Sequence, residues 1–166
     1  AADEVLAIVP GRAAGYFTAR ELELLASRMP GLTRAVTAGA FANIGLSNPA
    51  FCWAGAGLLM NMPDLASFGA ALIDGSQARI SAEERALLFT PLTEGTPEQP
   101  PLGLGWRVDA DKLGRTRWHH AGTTPGGRCG LVVYPEQRLS IALASNTMMT
   151  PGDVLGAAEQ LAQMFA

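Results

Sequence analysis

Apolar residues recur at helical spacing in four stretches of the chain and alternate with polar ones in four others. Thr18 with Glu21 three positions later forms a capping box, and Leu22, Leu25 and Met29 follow at helical spacing before Pro30-Gly31 ends the pattern. From there, through Gly39 and Gly45 to Pro49, the chain reads as extended loop. A glycine-rich link, Trp53-Ala54-Gly55-Ala56-Gly57, leads to a second helix with Pro63 and Asp64 in its first turn, Leu65, Phe68 and Leu72 on one face, and Gly75 as the stop. Ser81 and Glu84 make another capping box for a shorter helix that Pro91 terminates, and Thr93 to Pro101 is a polar, proline-rich linker.

Beyond that linker the period changes from helical to alternating. Four β-type runs, Leu104–Val108, Arg115–Ala121, Arg128–Tyr134 and Leu139–Ser145, are separated by turn-like Asp109–Gly114 and Pro135–Arg138. Connections this short imply antiparallel neighbours. Thr150-Pro151 then caps a last helix whose Val154, Leu155, Ala158, Leu161, Ala162 and Phe165 form an apolar stripe able to cover a sheet face. The fold class expected is α+β, an antiparallel sheet flanked by helices, with residues 1–100 forming helices and connecting loops and residues 101–166 the strands and covering helix.

Composition narrows the classes. A chain of 166 residues that is 48% hydrophobic and 16% charged is globular, not disordered. Its net charge of -3, with no basic stripe, argues against a nucleic-acid partner. No apolar run approaches the ~18 residues that a membrane span requires, and Ala1-Ala2-Asp3-Glu4 lacks the pattern of a signal peptide. Cys52 and Cys129 lie too far apart for the clustered spacings of zinc or redox sites, which leaves two buried thiols or a long-range disulfide.

The stretch richest in chemistry is Trp118-His119-His120-Ala121-Gly122-Thr123-Thr124-Pro125-Gly126-Gly127, a strand end and the turn after it. Neighbours on a strand point to opposite faces, so the two histidines make a poor metal pair. One packed and one solvated histidine is the plain reading; a histidine facing a cleft would serve proton transfer or anion contact. Gly126-Gly127 allows a second molecule close to the backbone, or serves only a tight turn. Asn146, at the end of the last strand, either caps the turn or binds a carboxylate. No serine is followed three positions later by lysine, because Lys112 is the only lysine, and Gly45-Leu46-Ser47-Asn48-Pro49 departs from the nucleophile-elbow pattern at its last residue. No phosphate-binding loop is present, and no metal or other cofactor is called for.

Taken together, these residues resemble the C-terminal half of the serine β-lactamase and penicillin-binding-protein family, which includes class C β-lactamases, D-alanyl-D-alanine carboxypeptidases, D-aminopeptidases and esterases. Arg12-Ala13-Ala14-Gly15-Tyr16, Ala54-Gly55-Ala56-Gly57-Leu58 with Asp64-Leu65-Ala66-Ser67-Phe68, and Gly103-Leu104-Gly105-Trp106 are similar to family segments in order and spacing. His120-Ala121-Gly122 falls where the family carries Lys-Thr-Gly or His-x-Gly, followed by Thr124-Pro125-Gly126-Gly127, the Tyr134-Pro135-Glu136 turn and Ser145-Asn146.

The resemblance implies an incomplete β-lactamase/transpeptidase-like fold and acyl-serine hydrolysis of an amide or ester. It makes His120 the basic catalytic residue, and it implies that Gly122, Gly126, Arg128 and Asn146 line the substrate. The partner implied is a small-molecule or peptide acyl substrate, and the setting periplasmic or secreted. The family's Ser-x-x-Lys and Tyr-x-Asn elements lie ahead of the matching part, so the expectation is a C-terminal portion, inactive alone. Its unpaired sheet edge and uncovered face would favour the missing N-terminal portion or self-association. A non-catalytic module that binds a peptide or protein through that sheet is the alternative.

Overall fold

The computed structural model describes residues 13–26, 36–38, 41–43, 55, 58–75, 80–97, 99–149 and 152–165. Its architecture is α+β, as the patterning predicts. Two compact units emerge, one of Ala1–Leu59, Thr123–Arg128 and Ala144–Pro151, the other of Met60–Gly122, Cys129–Leu143 and Gly152–Ala166. Among the described residues no helix is long and apolar enough to cross a membrane.

The first unit contains β1 (Tyr16–Thr18), α1 (Ala19–Ala26), β2 (Val36–Ala38) and β3 (Phe41–Asn43), and its sheet runs β1-β3-β2 with both pairings antiparallel. The region expected as extended loop thus contains two strands. Three residues are too few for an alternation to register; β3 pairs with β1, which is distant in sequence, and β2 pairs with β3. The capping box of α1 is present: Glu21 accepts from the Thr18 N–H, and the Thr18 hydroxyl accepts from the Glu21 N–H at 3.3 Å. Buried Glu21 also accepts from the Met149 N–H, and the Tyr16 N–H donates to the Asn146 carbonyl at 2.8 Å. Met29, the Pro30-Gly31 stop, Ser47, Trp53 and Cys52 lie outside the described residues.

In the second unit, α2 (Met62–Asp74) and α3 (Ala82–Phe89) precede a four-stranded sheet of order β4-β5-β6-β7: β4 (Arg107–Ala110), β5 (Thr116–Thr124), β6 (Gly127–Tyr134) and β7 (Leu139–Ser145). Asn61 is the N-cap of α2, its side chain accepting from the Asp64 N–H at 2.8 Å, and Gly75 ends the helix in the left-handed region. Ser81 and Glu84 form the expected capping box of α3, with bonds of 2.7 and 3.1 Å. The expected strand Leu104–Val108 begins only at Arg107. A turn through Gly103–Trp106 occupies its first half, closed by the Gly103 N–H donating to the Trp106 carbonyl at 2.7 Å.

Helices cover both faces of this sheet, so the uncovered face expected from sequence is not found in this unit. On one face Leu72, Phe89, Trp106, Leu131 and Val133 form an apolar core. Gly69 lets α2 approach the strands there. A Cβ at that position would lie 2.3 Å from Ser140 Oγ and 3.0 Å from side-chain atoms of Leu131 and Val133. Phe68, expected on the buried face, is instead 47% exposed, because the contact stripe runs through Leu65, Gly69 and Leu72.

On the other face α4 (Val154–Ala162) packs Ala158 and Ala162 against Val132, Tyr134 and Ile141. Its N-cap is Asp153, whose carboxylate accepts from the Leu155 N–H at 3.3 Å, in place of the expected Thr150, which lies outside the described residues. Leu161 and Phe165, expected in the buried stripe, are exposed. Glu159 occupies a buried position on the helix instead, and it is paired.

That pairing belongs to an ionic network across β4, β5 and α4. Arg117 donates to both Asp109 oxygens, at 2.6 and 3.1 Å, and to Glu159 Oε1 at 2.6 Å. His119 Nε2 lies 3.3 Å from Asp109 Oδ1. Burial pushes the Asp109 carboxyl up, but contact with His119 and Arg117 outweighs it and holds the group at about 2. Burial likewise works against the Arg117 charge, and the Asp109 bonds and charge raise its pKa in spite of it. Nearby, Asp111 accepts from the Leu113 and Arg115 N–H groups, each at 2.9 Å, and from Arg115 Nε at 2.8 Å. Arg115 also lies 4.8 Å over the Tyr134 ring.

Candidate functional site

Strand β5 separates the two histidines as alternation requires. Its pairing with β4 sets Arg107 opposite His119 and Asp109 opposite Arg117, so Arg117 and His119 share the face under α4 while Trp118 and His120 share the other. His119 is 1% exposed and His120 is exposed. The reading of one packed and one solvated histidine therefore describes the pair.

The environment of His120 is built by the turn before β4. Trp106 is buried with its ring set edge-on to Phe89, centroids 5.3 Å apart, and Phe89 stacks on Trp118 at 3.6 Å. The Leu104 N–H donates to the Leu88 carbonyl at the end of α3, at 3.2 Å. Between these anchors Gly105 adopts φ +81°, a conformation that suits glycine. Its carbonyl oxygen lies 2.8 Å from His120 Nδ1. No spacing rule connects these two residues; the glycine pair ahead of a tryptophan is the signal in sequence that a left-handed turn precedes the strand.

Gly122 is exposed on β5, in the same unit as His120. The remaining residues implied by the resemblance belong to the other unit. Gly126 is buried and turns the chain from β5 into β6 with φ +72°, and Arg128 is half-buried at the start of β6. Asn146 is exposed just after β7. Its carbonyl takes the Tyr16 N–H, and the local side-chain cap is made by Ser145, whose hydroxyl accepts from the Thr147 N–H at 3.2 Å. Asn146 as the turn's cap is thus corrected to Ser145. Cys129, expected to be buried, is an exposed free thiol. Strand β6 carries it on the face opposite Gly130, which is the one that meets Val154 of α4.

The described elements make an α+β fold with four α-helices and a four-stranded antiparallel sheet. A family model described as Beta-lactamase matches residues 5–164, and the chain belongs to that family. Membership points to a small-molecule substrate. No curated protein matches the chain.

Proposed function

We propose that the chain supplies the His-x-Gly part of a serine acyl hydrolase of peptidase or esterase type, with the nucleophilic serine contributed from outside these 166 residues. The observation that carries this reading is the family match over residues 5–164 in a sequence without any Ser-x-x-Lys. In the reaction a serine oxygen bonds to the substrate carbonyl carbon and its proton passes to a base. The leaving amine or alcohol departs with a proton, and water then cleaves the acyl-serine ester. His120 is the strand-borne basic group beside the reacting centre, able to move a proton or meet a substrate carboxylate. Gly122 lines the substrate, the backbone N–H near Gly126 or Arg128 is a donor for the substrate edge, and Asn146 contacts a carboxylate. Histidine in place of the family's lysine favours peptidase or esterase chemistry over β-lactam hydrolysis.

The test is covalent. The purified chain is treated with a fluorophosphonate and with a fluorescent penicillin, and its intact mass is read. An unlabelled chain is the expected result. A stoichiometric adduct on one serine would mean that the nucleophile lies within the chain.

A further inference from the structure

The ring of exposed His120 is oriented by a backbone atom, the Gly105 carbonyl oxygen. A carbonyl oxygen only accepts hydrogen bonds, so at 2.8 Å from the Gly105 carbonyl the neutral ring must carry its proton on Nδ1. Nε2 then presents its lone pair. We infer that the Gly103–Trp106 turn is a positioning element for His120: the Gly105 carbonyl fixes the ring as the Nδ1–H tautomer, so that Nε2 is the atom that takes a proton from a reacting hydroxyl.

Three features of the turn suit it to that task. Gly103 is buried with no space for a side chain, since a Cβ there would lie 2.4 Å from the Leu88 carbonyl oxygen. The Gly103–Trp106 hydrogen bond closes the turn, and Trp106 roots it in the apolar core. Gly105 itself has nothing within 4 Å of where its Cβ would be, so its requirement is conformational and not spatial. In the step concerned, the hydroxyl O–H bond breaks and an Nε2–H bond forms. The ring becomes an imidazolium that still donates Nδ1–H to Gly105.

The inference rests on His120 as the basic residue proposed above, but its test does not pass through catalysis. The chain has two histidines, and the two-bond 1H–15N spectrum of neutral imidazoles reports which nitrogen holds the proton; His120→Asn assigns the signals. The wild-type chain is expected to show the Nδ1–H pattern for His120. Gly105→Asn, which tolerates the left-handed region, keeps it. Gly105→Val does not tolerate that region and shifts the tautomer ratio towards Nε2–H by about fivefold, the worth of a typical hydrogen bond.

Nε2–H in the wild type, or an unchanged ratio in a folded Gly105→Val chain, would overturn the inference. If Gly105→Val does not fold, the wild-type and Gly105→Asn spectra decide: Nδ1–H in both supports it and Nε2–H in either overturns it. A serine labelled within the chain would change the functional reading and leave the tautomer result standing, so the two failures are distinguishable.

Discussion

The two faces of β5 carry similar residue types to opposite ends. On the face under α4, Arg117 and His119 are buried among carboxylates, and the Arg117 guanidinium is consumed by contacts within the protein. On the face shared with Trp118, His120 spends one ring nitrogen on Gly105 and leaves the other available. The difference teaches that the strand's alternation, not the identity of the residue, separates structural charge from chemical charge. An adjacent pair of histidines is therefore best read as two environments.

The largest effect should come from breaking the buried face. Arg117→Met leaves Asp109 and Glu159 without their shared cation, and a loss of about 3–5 kcal/mol in unfolding free energy is expected in denaturant titrations. Replacing the three charges together with apolar residues should restore much of that loss, since burying ions is itself costly.

Acid sharpens the same contrast. Asp109 is held at about 2 against an ordinary 3.8, so its contribution is fully present above that ordinary value and is lost as pH falls towards 2. The shift corresponds to about 2 kcal/mol, and thermal melts from pH 5 to pH 2 should show Asp109→Asn flattening the decline relative to wild type.

Overpacking addresses the apolar core on the other face. Gly69→Leu puts a side chain where α2 already touches Ser140, Leu131 and Val133, and a loss of about 1–3 kcal/mol is expected by the same titration. At the small end, His120→Gln should change stability by less than about 0.5 kcal/mol, because the side chain is exposed, while lowering any activity reconstituted with the nucleophile.

The parts legible in sequence are those whose physics is local. The capping boxes at Thr18–Glu21 and Ser81–Glu84, the Gly75 stop and the strand Leu139–Ser145 each involve residues a few positions apart, and each is present. The parts not legible depend on distant partners. Arg117 meets Glu159 across 42 positions, and Glu159 sits in a helix whose pattern alone gives no reason to bury a charge. Strand β3 exists through pairing with the distant β1, and β2 through pairing with β3, while Asp153 competes with Thr150 as a cap by similar chemistry. For the candidate site, alternation predicts the division between the histidines, and the resemblance singles out His120. Its tie to Gly105 requires the turn to be seen in three dimensions.

The central claim is that β5 commits His119 to the fold and leaves His120 Nε2 open to chemistry. Diethyl pyrocarbonate acylates accessible imidazole nitrogens, and fragmentation of the peptide that holds both residues locates each adduct. In the native chain a single carbethoxyl group on His120 is expected, with His119 modified only after unfolding. Equal modification of both histidines, or modification of His119 first, would contradict the account.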